Sequence, residues 1–132
     1  MVNTLCDQYN FILLQEHWLS SAELNKLDLI HKDFKAFGVS EMDAKTSSGI
    51  LICRTFGGTA ILFKSNLLKF IKIIEFDSGS GRFISLRYYT DFIDIIITNV
   101  YFPTYNTSID YTIENSSVIA YVFNSFLFVS TL

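Results

Sequence analysis

Apolar residues along this chain fall into runs and alternations that mark strands, and the polar positions between them mark where the strands stop. Phe11-Ile12-Leu13-Leu14 is an unbroken apolar run that ends in Gln15-Glu16-His17-Trp18, the pattern of a strand buried on both faces that meets a polar rim. Ser20 stands three residues before Glu23, the spacing of a capping box at a helix start. Leu24, Leu27, His31 and Phe34 follow at helical spacing as one stripe. On that stripe His31 reads as a packed core-edge residue rather than a ligand. Ala36 to Val39 predicts a short strand. From Ser40 to Thr55 the composition turns to Ser, Lys, Asp and Gly, which predicts a long loop. Loops of that length inside a compact domain are usually functional or mobile.

The second half reads as a succession of strands. Gly57-Gly58-Thr59-Ala60-Ile61-Leu62-Phe63 has a glycine pair followed by small and then large apolar residues, and Lys69 to Phe76 is rich in β-formers. Ser78-Gly79-Ser80-Gly81 is a turn. Ile84-Ser85-Leu86-Arg87-Tyr88 alternates with period two, so one face is buried and the other carries Arg87. Thr90-Asp91 is a second turn. Asp94 to Tyr101 is again almost continuously apolar, hence a predicted central strand. It ends in Asn99 and Tyr101, followed by the sole proline, Pro103. A helix is expected from Ile109 to about Phe123. No internal repeat or low-complexity tract interrupts the pattern.

Composition narrows the class. With 132 residues the chain is one small domain, and a hydrophobic content of 50% with 13 phenylalanines argues against disorder over most of its length. A net charge of −3 gives no global basic field for nucleic acid, so contact with phosphate must be local or metal-mediated. Cys6 and Cys53 lack C-x-x-C spacing and fit a reducing compartment, or two incidental thiols, better than a disulfide scaffold. The first residues carry neither a basic segment nor an apolar core, so no signal peptide is expected. The uncharged tail from Val118 to Leu132 is shorter than the roughly 20 residues of a membrane span, so no membrane association is expected and localisation is expected to be intracellular.

The chemistry sits at the strand ends. A carboxylate at the exit of a buried strand is costly unless it is paired or binds a cation, and such exits are where sheet proteins place ligands. Glu16 therefore has two readings, a ligand or a solvated strand end. If neighbouring central strands of one sheet bring Glu16 and Tyr101 to a common rim, Glu16 suits a hard cation such as Mg²⁺. That ion prefers one or two carboxylates completed by waters and phosphate oxygens. Tyr101 then reaches a phosphate oxygen, the arrangement of metal-assisted phosphoryl transfer.

Leu14-Gln15-Glu16-His17-Trp18-Leu19, then Phe56-Gly57-Gly58-Thr59-Ala60-Ile61-Leu62-Phe63, then Thr98-Asn99-Val100-Tyr101-Phe102-Pro103 resemble, in that order, the endonuclease/exonuclease/phosphatase superfamily. Within it the chain is most similar to the apurinic-type endonuclease domains of non-LTR (LINE-like) retrotransposons. The resemblance spans residues 9–121, and residues 122–132 form a divergent apolar tail. It implies an α/β (α+β) fold, part of a four-layer α/β sandwich with two packed mixed sheets. It further implies Glu16 as ligand of Mg²⁺ (or Mn²⁺), Tyr101 as the catalytic residue on the scissile phosphate, and Asn99 and Arg54 on the substrate side. His17 and Trp18 support the site. DNA is the implied partner, with no small-molecule cofactor, and the nucleus the implied location if the ancestral role is retained.

The departures are equally specific. The family begins with a strand carrying a metal-site Asn and continues into a G-D-x-N strand and an S-D-H segment; none of these is among the 132 residues, whose only histidines are His17 and His31. The expectation is a single partial domain, truncated at both ends and catalytically inert or nearly so, since general acid–base residues supply about 10²–10⁴-fold. A half sandwich would also leave a sheet face uncovered and prone to self-association. Two alternatives stand beside the nuclease remnant. One is a non-catalytic nucleic-acid-binding module using Lys64, Lys69, Lys72, Arg82 and Arg87. The other is a fragment of an inositol-phosphate or sphingolipid phosphodiesterase of the same superfamily.

Overall fold

Two small antiparallel sheets stack face to face and carry a helical layer on one side. The computed structural model describes residues 2–42, 57–77 and 81–101. Its elements in chain order are α1 (Val2–Gln8), β1 (Phe11–Gln15), a 3₁₀ helix (Ser21–Leu29), β2 (Phe34–Val39), β3 (Thr59–Lys64), a second 3₁₀ helix (Ser65–Phe70), β4 (Ile71–Phe76), β5 (Phe83–Tyr89) and β6 (Asp94–Val100). The first sheet has the order β1-β3-β2 and the second β4-β5-β6, each strand antiparallel to its neighbour. The class is α+β. Among the described residues it makes three layers, helical, sheet and sheet.

Strand β3 shows why the layers form. Its side chains alternate with period two, so Ala60 and Leu62 face one way and Ile61 and Phe63 the other. Ala60 and Leu62 pack with Cys6 of α1, Leu27 of the 3₁₀ helix, Ile12 and Phe34. Ile61 and Phe63 pack with Val39 and, across the gap between sheets, with Ile84 and Leu86 of β5. Both faces of β3 are therefore apolar, and Ala60 to Phe63 are fully buried. Aromatic contacts line the inter-sheet core, one reaching across the two sheets and one within the first. Phe11 meets Tyr88 with ring centroids 5.4 Å apart, and Phe37 meets Phe63 at 5.2 Å.

Several expectations change here. The runs Phe11–Leu14 and Asp94–Tyr101 read as central strands, yet β1 and β6 are edge strands, and β3 and β5 occupy the centres. The sheets are antiparallel rather than mixed. The physical reason is the layering: a strand of the first sheet faces apolar partners on both sides even at the edge, so its sequence is apolar throughout. Leu13 and Ile95, each 45% exposed, reveal the edge position that the run conceals.

The stripe from Leu24 to Phe34 divides in two. Ser21–Leu29 is a 3₁₀ helix with the expected Ser20/Glu23 capping interaction, in which Glu23 accepts the Ser20 backbone N–H at 3.3 Å and its hydroxyl at 3.0 Å. Phe34 already belongs to β2. His31 lies half-buried with its ring edge-on to Phe34 at 5.5 Å, and its Nδ1 accepts the Asp33 N–H. Lys69 and Phe70 fall in the second 3₁₀ helix rather than in β4, and α1 has no counterpart among the elements expected from the sequence. No helix among the described residues is long and apolar enough to cross a membrane. The expected loop beyond Met42, the helix from Ile109, the apolar tail, Cys53 and Arg54 lie outside the described residues.

Candidate functional site

Strand register places five strand termini at one end of the molecule. Gln15 at the end of β1 pairs with Thr59 at the start of β3, which pairs in turn with Val39 at the end of β2. In the second sheet Phe83 at the start of β5 pairs with Val100 at the end of β6. The segments just beyond these pairs, Glu16–Trp18, Ser40–Glu41, Gly57–Gly58, Gly81–Arg82 and Tyr101, gather into a polar rim.

Side chains from both sheets stitch them together at this rim, among them Thr59, whose hydroxyl donates to the Gly81 carbonyl at 3.1 Å. Asn99, with 1% of its surface exposed, donates from Nδ2 to the Leu14 carbonyl at 2.7 Å and to the Ala60 carbonyl at 2.8 Å. Gln15 donates from Nε2 to the Val100 carbonyl at 2.8 Å. Tyr101 donates its hydroxyl to Glu16 Oε1. Glu16 and Tyr101 do meet, but from opposite sheets rather than from neighbouring strands of one sheet. Asn99, expected on the substrate side, has both amide hydrogens engaged with the first sheet and braces the rim from within.

The backbone around Glu16 is constrained. Glu16 and Trp18 adopt left-handed φ values of 56° and 60°, a region that disfavours residues with a Cβ. Their N–H groups donate to Gly58 O at 2.8 Å and Gly57 O at 3.1 Å. His17 between them turns inward, where Nε2–H donates to the Val39 carbonyl at 2.9 Å and Nδ1 accepts the Leu19 N–H at 3.1 Å. Burial holds its pKa below the usual imidazole value, opposed by backbone acceptors at Val39 and Thr59, so the ring stays neutral and structural.

The glycine pair has its reason in the same place. Gly57 and Gly58 have φ of 71° and 87°. A Cβ on Gly58 would sit 2.6 Å from His17 Nε2, and one on Gly57 would sit 2.7 Å from the Glu41 carboxyl carbon. Only a residue without a Cβ leaves room for both.

A buried ion pair underlies the rim. Glu41 and Arg82 are 5% and 8% exposed, with the Arg82 Nη2 to Glu41 Oε1 separation 3.6 Å. Arg82 also accepts the Tyr101 N–H at its carbonyl, at 2.7 Å. The pair sits close enough to act on the Tyr101 phenol. The hydrogen bond to Glu16 is the largest cause that pushes this phenol up to about 12, with burial and the negative charges of Glu16 and Glu41 adding and Arg82 opposing. Tyr101 therefore keeps its proton at neutral pH and acts as a donor.

Sequence reasoning found Glu16 and Tyr101 but grouped Arg82 with surface cations and passed over Glu41. The only available signal was position, since Glu41 follows the end of β2 beside Ser40 and Arg82 precedes the start of β5 beside Gly81; no periodicity links residues 41 and 82. Of the remaining cations, Arg87 is held by Asp94, with Nε to Oδ1 at 2.7 Å. No protein family, curated protein or solved structure matches the chain.

Proposed function

We propose that the rim is the metal-and-phosphate half of a divalent-metal-dependent phosphodiesterase site, and that the chain derives from a DNA endonuclease of the endonuclease/exonuclease/phosphatase type found in non-LTR retrotransposons. The observation that carries this reading is the hydrogen bond from Tyr101 to Glu16. Residues 85 positions apart, singled out for metal and phosphate, adjoin each other at the junction of two sheets. The two described sheets and their helical layer are compatible with three layers of a four-layer sandwich.

The donor set limits which ion fits. Glu16 is exposed and offers one carboxylate, Glu41 is engaged with Arg82, and the described residues hold no group of three His, Cys, Asp or Glu side chains suited to a metal. That fits a hard cation such as Mg²⁺ or Mn²⁺, which keeps several waters and takes substrate phosphate oxygens as further ligands. It does not fit a closed structural zinc centre, which needs four protein ligands. When bound, such an ion supplies charge stabilisation at the attacked phosphate.

The chain's own residues then have distinct tasks. Glu16 holds the cation on a backbone locked by Gly57 and Gly58. Tyr101 keeps its proton and turns its hydroxyl from Glu16 to a phosphate oxygen when substrate arrives. Gln15 and Asn99 hold the two strand ends together. Among these 132 residues there is no G-D-x-N or S-D-H segment, so the roles proposed for them are the binding of metal and phosphodiester. A module held to nucleic acid by basic residues alone is less well supported, because Arg82 and Arg87 are both held in ion pairs.

Manganese binding followed by electron paramagnetic resonance tests the assignment. One weak site is expected in the parent and none in Glu16→Gln, with Tyr101→Phe retaining the ion but losing affinity for a short DNA duplex. Mn²⁺ binding unchanged in Glu16→Gln would remove the metal assignment. Mg²⁺-dependent nicking of supercoiled DNA that disappears in Glu16→Ala would overturn the expectation of inertness.

A further inference from the structure

Trp18 is the only tryptophan of the chain, yet 45% of it remains exposed in a protein whose core is filled by phenylalanine and aliphatic side chains. Its backbone is left-handed at φ 60°, a conformation disfavoured for an L-residue with a large side chain. The Trp18 N–H bond to Gly57 O at 3.1 Å fixes it there. His17 is drawn inward by the Val39 carbonyl, so the exposed residues Glu16 and Trp18 flank a half-buried one. Residues two apart lie within roughly 7 Å along the chain. A large, exposed aromatic ring thus springs from backbone two residues from the carboxylate that receives the Tyr101 hydroxyl.

We propose that Trp18 is a stacking platform for an unpaired nucleobase, on a strand whose phosphodiester lies at Glu16 and Tyr101. This rests on the phosphodiesterase reading of the rim and adds the substrate class, a nucleic acid strand with a base out of its stack. Stacking suits a chain of net charge −3, because a π-face gains affinity from the base and needs no basic groove. It also tolerates any base, so it binds without setting sequence preference. The strained backbone on either side of His17 fixes the distance between the phosphate-binding carboxylate and the base-binding ring.

With excitation selective for indole over the seven tyrosines, the fluorescence of the full chain reports on this side chain alone. The chain is titrated, with Mg²⁺ at low salt, against a short single-stranded oligonucleotide and against a fully abasic strand of the same backbone. Binding is followed in parallel by the anisotropy of a label on the strand. The expected result is quenching by the base-bearing strand and none by the abasic one. Trp18→Ala is expected to lose about 5- to 150-fold in affinity for the base-bearing strand alone, and Trp18→Phe to recover most of it.

Binding by anisotropy without a change in fluorescence overturns the stacking role, as does equal affinity of Trp18→Ala and the parent, or equal quenching by the abasic strand. In those cases Mn²⁺ binding that still depends on Glu16 leaves the phosphodiesterase reading standing. No binding of either strand, together with Mn²⁺ binding indifferent to Glu16→Gln, overturns both.

Discussion

Removing one partner of the Glu41–Arg82 pair is expected to destabilise the fold far more than removing both. The two charges are 3.6 Å apart and at most 8% exposed. At an effective dielectric constant of about 20, that separation corresponds to an attraction of roughly 4–5 kcal/mol. The desolvation cost of two buried ions offsets much of this, so the pair as a unit adds little. A single replacement takes one charge from a buried pair and is expected to cost about 3–5 kcal/mol, a large part of a typical total of about 5–15 kcal/mol. Glu41→Met and Arg82→Met are therefore each expected to shift the urea midpoint sharply downward. The double replacement is expected to fall within about 1–2 kcal/mol of the parent. The assay is a double-mutant cycle by equilibrium urea unfolding with unchanged slope. Singles within about 1 kcal/mol of the parent, or a double equal to the sum of the singles, would refute the argument that this pair is a coupled buried unit.

Further outcomes follow from the same geometry. Gly58→Ala adds a Cβ against the His17 ring at a left-handed φ of 87° and is expected to lose about 2–5 kcal/mol, the sum of the backbone and overpacking costs; thermal unfolding reads it. Asn99→Leu removes two bonds across the sheets and is expected to lose about 1–3 kcal/mol, with faster amide exchange at the β1 end as its signature. The Tyr101 phenol is raised from 10.0 to about 12 in the folded chain. The folded state thus holds the proton more tightly than the unfolded one, and its contribution to stability is complete below pH 10 and lost as pH rises toward 12. In Glu16→Gln the ultraviolet titration of that phenol is expected to move back toward the ordinary value, and an unmoved titration would show that another group raises it.

Local signals in the sequence were reliable where neighbours in sequence are also neighbours in space. The Ser20/Glu23 cap and the turn at Thr90-Asp91 are decided within a few residues, whereas the alternation of β5 holds only in part, since Ser85 opposite Ile84 and Leu86 is fully buried as well. Burial was harder to read. The run Phe11–Leu14 looks like a central strand because its two faces meet different layers, α1 and the 3₁₀ helix on one side and the second sheet on the other. The site divided in the same way. Glu16 and Tyr101 each end an apolar run, so their exposure at a rim follows from pattern. Glu41 and Arg82 come together only through the stacking of the sheets, and a lone charge in a sequence looks the same whether it is solvated or buried against its partner. The inward turn of His17 was equally hidden, because it depends on the left-handed residues on either side.

The joining of Gln15 and Glu16 to Val100 and Tyr101, about 85 residues apart, has a kinetic consequence. Contacts of that separation close a long loop of chain and form late, after hairpins such as β5–β6 have been paid for locally by short connections. During synthesis the rim does not exist until Tyr101 has left the ribosome. Any compact intermediate with only the first sheet formed presents Glu16 without its partner. A ligand that requires both residues binds the fully docked protein alone and stabilises it by mass action. Ligand binding at the rim then measures completion of folding as well as recognition.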